Sequence, residues 1–139
     1  MDIYGQIIAR LKKAGFRLTK IRIAVIRTLV SSSAPLAEEE IRQKLQSLKL
    51  SPNKTTIYRQ LEKFIKLKFV KEVEFGDGKK RYEMAGSHHH HLVCTSCRKI
   101  EDVRLESELK ASEQRIAKQK SFLVTEHVLE FFGLCKNCH

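Results

Sequence analysis

Four cysteines stand as two pairs, Cys94-Thr95-Ser96-Cys97 and Cys135-Lys136-Asn137-Cys138, with 37 residues between them. A Cys-x-x-Cys pair on a tight turn offers two thiolates to one ion, and two such pairs supply the tetrahedral sulfur set that structural Zn2+ prefers. A single pair would suit redox exchange, but neither lies in the strand-helix-strand setting of a thioredoxin-like centre. A zinc site built from Cys94, Cys97, Cys135 and Cys138 is therefore expected, tying the last residues to the strand ahead of the first pair.

Immediately upstream runs His88-His89-His90-His91. In extended chain successive side chains alternate, so His88 and His90 face one way and His89 and His91 the other. Two clusters follow. One joins His89 and His91 to Glu83 before them and to Asp102 or Glu101 after them. The other joins His88 and His90 to His127 and a helix carboxylate, for which Glu108 is the candidate. Imidazole with carboxylate suits Zn2+, Fe2+, Mn2+ or Ni2+, so ligand type leaves the metal open.

These donors need elements to carry them. Ile100 to Arg104 reads as a strand, Leu105, Leu109, Ser112 and Ile116 as one helix face, and Phe122 to Phe132 as a long strand. A small sheet with one helix leaves sheet edge and apolar surface open, which predicts a homodimer.

The rest of the chain differs in charge. The 139 residues carry 27 Lys and Arg against 16 Asp and Glu, a net +11. Residues 1–85 hold 19 basic and 9 acidic side chains, while 86–139 hold 8 and 7 together with every Cys and His. A basic domain, 1–85, followed by a metal-binding dimerisation domain, 86–139, is the expected organisation, with Ala85-Gly86-Ser87 at the join. No membrane span or signal peptide is legible, which suggests a cytoplasmic protein.

Within the basic half, apolar spacing marks four helices: Ile3 to Gly15, a second opening at Thr19, a third after Pro35 with Glu38, Glu39 and Glu40 in its first turn, and a fourth after Asn53. A hairpin fits Val70 to Glu83, turning at Gly76-Asp77-Gly78 and followed by Lys79, Lys80 and Arg81. Helices followed by a basic-tipped hairpin describe a winged helix-turn-helix. The fourth helix would then lie in the major groove of a double-stranded DNA operator. Thr55, Thr56, Tyr58 and Arg59 at its start would reach base edges. Lys13, Arg17, Lys20 and Arg22 would supply phosphate or minor-groove contacts, and Lys79 a backbone contact on the wing. The fold class is thus α+β, a winged helix-turn-helix followed by a small α/β dimerisation domain with a four-cysteine zinc site. A metal-buffering or redox protein is the rival reading. No nucleophile elbow, phosphate loop or metalloprotease motif supports an enzyme.

Thr55-Thr56-Ile57-Tyr58-Arg59, the His run leading into Cys94-Thr95-Ser96-Cys97, and Gly133-Leu134-Cys135-Lys136-Asn137-Cys138 together resemble the ferric uptake regulator family of metal-dependent transcriptional repressors. The resemblance covers essentially the whole chain. It implies a palindromic operator bound by a homodimer, a structural zinc at the four cysteines, and regulatory Fe2+, Zn2+ or Mn2+ elsewhere. The family's DNA readers fall on Tyr58, Arg59 and Arg17, its hinge ligands on Glu83, His89, His91 and Asp102, and its dimerisation-domain ligands on His88, His90, His127 and Glu108. The chain departs from the family at Pro35, near the place of a further hinge histidine in many members. Peroxide-sensing members favour Asp where Glu83 stands, and zinc sensors often carry Cys there. The resemblance therefore implies an iron or zinc sensor, iron ahead of zinc, with a peroxide sensor as the alternative.

Overall fold

Three of the four N-terminal helices begin where a short oxygen-bearing side chain takes a free backbone amide. Asp2 accepts from Gly5 N at 2.6 Å, Thr19 from Arg22 N at 3.2 Å, and Asn53 from Thr56 N at 2.8 Å. These caps start α1 (Ile3–Lys13), α2 (Lys20–Ser31) and α4 (Lys54–Lys66). The fourth, α3 (Glu38–Ser47), follows Ala37, which has no capping side chain; the Glu40 carboxylate instead accepts from Ala37 N at 3.1 Å. Helix α1 closes at its C-cap Ala14, and the φ of +82° at the following Gly15 lets Phe16 N reach back to Leu11 O at 3.0 Å.

These elements come from a computed structural model that describes residues 2–86, 88–105 and 108–139, with Glu108 described by its backbone only. The chain divides into two compact units, Met1–Gly86 and Ser87–His139.

In the first unit the helices enclose one apolar core. Leu11, Val25, Ile26, Ile41, Leu45, Ile57, Leu61 and Phe64 are among its fully buried members. The expected hairpin is present as β2 (Val70–Glu74) and β3 (Lys80–Met84), paired antiparallel from Val70↔Met84 to Glu74↔Lys80. A strand not foreseen, β1 (Leu36–Ala37), adds to its outer edge through Leu36↔Tyr82 and Ala37↔Arg81, giving the order β1-β3-β2. Two residues are too few for a period-2 pattern, and Pro35 simply leads the chain into them. Four helices and a three-stranded wing complete the winged helix-turn-helix.

The second unit is a sheet ordered β5-β4-β6, with β4 (His90–Cys94) at its centre, β5 (Ile100–Val103) antiparallel to it, and β6 (Glu130–Gly133) parallel to it. Helix α5 (Glu108–Lys120) connects β5 to β6. The expected long strand over Phe122 to Phe132 is not formed: only Glu130 to Gly133 pair, against His91 to Cys94. The short β4 offers no more partners, so residues 122–129 are irregular and leave Leu123 84% and Val128 81% exposed. Val93 and Cys94 are the buried apolar residues among those described in this unit. A unit this small, with so little buried, needs a second source of stability.

Candidate metal centre and nucleic-acid interface

The parallel pairing of β4 with β6 brings the two Cys-x-x-Cys turns to the same end of the sheet. Thr95 N donates to Gly133 O at 2.8 Å, locking the first turn to the strand that leads into the second. The four sulfurs lie within 4.8 Å of one another, and Cys97 Sγ is 3.7 Å from Cys135 Sγ. A tetrahedron built on Zn–S bonds of about 2.3 Å has edges of about 3.8 Å, so this spacing accommodates Zn2+. Cys97 N and Cys135 N each donate to Cys94 Sγ at 3.5 Å, and these amides hold the Cys94 thiol down at about 6, well below the ordinary value. The thiolate is the ligating form, so these amides favour it at Cys94.

The histidine run enters β4, and its rings separate by alternation. His88 and His90 lie edge to face with centroids 4.7 Å apart; His89 and His91 do so at 4.9 Å. On the first side His127 comes in from the segment before β6. Its Nε2 is 2.8 Å from His88 Nε2 and 3.5 Å from His90 Nε2, so three ring nitrogens converge on one point. Burial, then the neighbouring His88 and His127 rings, hold His90 below its usual value, which favours the neutral, metal-ligating imidazole. Glu113 of α5 holds His127 from behind by a short contact to Nδ1. The sequence reading missed Glu113. Its signal was available: it lies one helical turn beyond Leu109 on a helix already assigned to this side. The side chain of Glu108, the carboxylate expected here, lies outside the described residues.

On the other side, His89, His91 and Asp102 gather within 4.8 Å, with Asp102 Oδ1 3.9 Å from His89 Nε2 and 3.7 Å from His91 Nε2. The register His91↔Asp102 places that carboxylate. Glu101, the other candidate, points to the opposite face and pairs with Lys99. Glu83 lies on β3 of the first unit, where it pairs with Lys71 Nζ at 3.4 Å.

In the winged helix, Arg17, Lys13, Lys20, Thr55, Arg59 and Lys79 are exposed. Tyr58 is half-buried, edge-on to Tyr82 with ring centroids 6.5 Å apart and Lys54 Nζ 5.9 Å from its centroid. The Thr56 hydroxyl donates to the Asn53 cap at 2.9 Å, so it helps start the helix. Arg22, expected to face phosphates, does not, and one of the wing's basic residues is buried as well. Arg22 is 7% exposed and donates to Gln60 Oε1 at 2.8 Å. Arg81 is equally buried, gripping Asp77 through two hydrogen bonds, 2.8 and 3.2 Å, beside the Phe75 ring. In each case a nearby neutral or acidic acceptor satisfies the guanidinium inside the fold, where the sequence shows only a basic residue.

A winged helix-turn-helix joined to a small α/β unit with a tetrathiolate cluster and converging imidazoles defines a metal-binding transcription regulator. The Ferric uptake regulator family model matches residues 13–132, and the chain belongs to that family of regulators, which are not enzymes. It is similar to the peroxide-responsive repressor PerR of Staphylococcus epidermidis, 37% identical over 131 residues spanning 94% of this chain and 87% of that protein. The PerR of Staphylococcus aureus is 35% identical with 94% and 88% covered. Among solved structures, the Helicobacter pylori ferric uptake regulator Fur, described with three functional metal-binding sites, superposes with a TM-score of 0.82 at 27% identity, covering 98% of this chain and 91% of that one. A zinc-bound manganese uptake regulator superposes with a TM-score of 0.74 at 26% identity, covering 96% and 99%. Among the described residues, no helix is long and apolar enough to cross a membrane.

Proposed function

We propose that this protein is a metal-responsive repressor that binds a palindromic operator as a homodimer and senses Fe2+ or Zn2+. The observation that carries this reading is the division of labour along the chain. Exposed Arg17, Thr55, Arg59 and Lys79 belong to the winged helix, whereas the four-cysteine and three-histidine clusters lie wholly in the second unit, on β4 and the turns and segments that flank its sheet. Cys94, Cys97, Cys135 and Cys138 would hold a structural zinc. His89, His91 and Asp102 would hold the regulatory ion, with Glu83 as the ligand drawn from the first unit. His88, His90 and His127 would hold a second ion, with Glu108 as a further ligand. When bound, the regulatory ion supplies a positive charge that gathers these donors, so that the winged helices are presented at the spacing of the operator.

Homodimerisation is supported by apolar surface that one copy leaves uncovered. Phe122, Leu123, Val128, Phe131, Phe132 and Leu134 are all exposed in a unit with almost no core of its own. Anisotropy titration of a selected operator duplex, with and without each divalent metal, tests the function. Affinity that ignores every metal would overturn it.

The names of the two Staphylococcus relatives favour a second reading, a repressor released by peroxide. Adding hydrogen peroxide to the metal-loaded complex separates the two, because only the second predicts operator release without chelation.

A further inference from the structure

Arg22 occupies the third position of α2 and turns its guanidinium into the winged helix. Its Nε donates to Gln60 Oε1 at 2.8 Å, and its Nη1 donates to the backbone carbonyl of Arg17. The guanidinium also lies 5.3 Å from the centroid of the Phe16 ring. Gln60 is the buried neighbour of exposed Arg59 on α4, and Arg17 is exposed on the loop between α1 and α2. One planar group therefore grips two of the pieces of chain that carry the proposed DNA contacts, the Arg17 loop and α4.

We infer that Arg22 is a positioning residue for operator recognition: it sets the distance between the Arg17 loop and α4, so that their contacts meet one operator in register. This rests on the reading of α4 as the DNA-reading helix.

The choice of side chain argues for geometry over stability. Among the described residues no carboxylate pairs with Arg22; both acceptors are neutral. Burying a cation against neutral partners carries a desolvation cost that an apolar pair of similar volume avoids. The cationic fork has a different advantage: its donors lie in fixed directions in one plane, so it can hold two acceptors on separate elements at a defined spacing. Apolar contacts cannot replace that. Phe16 and Leu18 of the loop are only partly buried against the core, and such packing is non-directional.

The test uses the full-length, metal-loaded chain and a duplex that it selects from a random pool, compared with a scrambled duplex across a salt series. The variants are Arg22→Lys, which keeps the charge but loses the fork, and the paired Arg22→Met with Gln60→Leu, which removes the buried donor and its Gln60 acceptor together and leaves the backbone carbonyl of exposed Arg17 to water. Both are expected to keep the wild-type affinity and salt slope on scrambled DNA. On the selected duplex each should lose about tenfold or more, the scale of one lost base contact. The paired variant should unfold at or above the wild-type temperature while still losing discrimination, an outcome a purely structural role does not produce. Equal losses on both duplexes, full discrimination by Arg22→Lys, or full discrimination by the paired variant would overturn the positioning role. A wild-type chain that selects no sequence would remove the DNA-reading assignment itself, and this inference with it.

Discussion

The carboxylate of Glu113 on α5 stands at the Nδ1 edge of His127, leaving His127 Nε2 to face His88 and His90. A carboxylate on one ring nitrogen orients an imidazole and raises the basicity of the other, and losing such a partner commonly costs 10–100-fold in metal affinity. Glu113→Ala is therefore expected to weaken metal binding at the three-histidine cluster by about that factor. Competition titration with a chromophoric chelator measures it, and zinc affinity at the four cysteines should be unaffected.

Zinc removal should act on one unit. The second unit buries little beyond Val93, Cys94, His90 and His91, whereas the first has a continuous core. In zinc-finger peptides the metal contributes about 10–16 kcal/mol, far more than this sheet can supply by burial. Stripping zinc, or making Cys97→Ser with Cys135→Ser, is expected to unfold the second unit and preserve most of the helical circular dichroism of the first. A single cooperative loss of all structure would contradict this.

Two basic residues should separate by the kind of affinity they carry. Arg59→Ala is expected to cost about 1–3 kcal/mol on the operator and little on random DNA, as loss of a base contact does. Lys79→Ala on the wing should weaken both duplexes alike and make the salt slope shallower by about one. Parallel salt titrations on the two duplexes distinguish them.

The wing itself carries a pH signature. The hydrogen bonds from Arg81 hold the Asp77 carboxyl down at about 2, against an ordinary value of 3.8. A depressed carboxylate stabilises the fold fully above the unfolded value and stops doing so as pH falls through the folded one. The contribution of this pair should therefore persist down to about pH 4 and disappear toward pH 2. Acid titration of Asp77→Asn, followed by thermal unfolding at each pH, should show a difference from wild type at neutral pH that closes below that window.

Packing at α4 gives a further expectation. Tyr58 stands at 66° to Tyr82, an edge-to-face pair of the kind worth about 0.5–1.5 kcal/mol beyond its buried area. Tyr82→Leu should lower the unfolding midpoint and broaden the orientation of Tyr58. Calorimetry and the Tyr58 ring signals in nuclear magnetic resonance report the two effects separately.

Local chemistry made much of this protein legible from its sequence. Thr19 and Asn53 cap their helices because a side-chain oxygen two or three residues ahead of free amides needs no distant partner. The separation of the His88 and His90 rings from those of His89 and His91 follows from the alternation of extended chain. Two Cys-x-x-Cys pairs announce a four-sulfur cluster because each pair closes within its own turn. What the sequence could not decide depended on partners remote in the chain. Arg22 looks like a phosphate contact until the fold brings Gln60, far along the chain on α4, to its guanidinium. The long strand over Phe122 to Phe132 has the right alternation, but a strand also needs backbone partners, and β4 offers them only to Glu130 through Gly133. The choice of Asp102 over Glu101 was a matter of register across β4, and the arrival of Glu113 behind His127 a matter of where α5 lies. Residue types and short spacings determine which groups a chain can offer; pairing and burial, which act between distant segments, determine which of those groups meet.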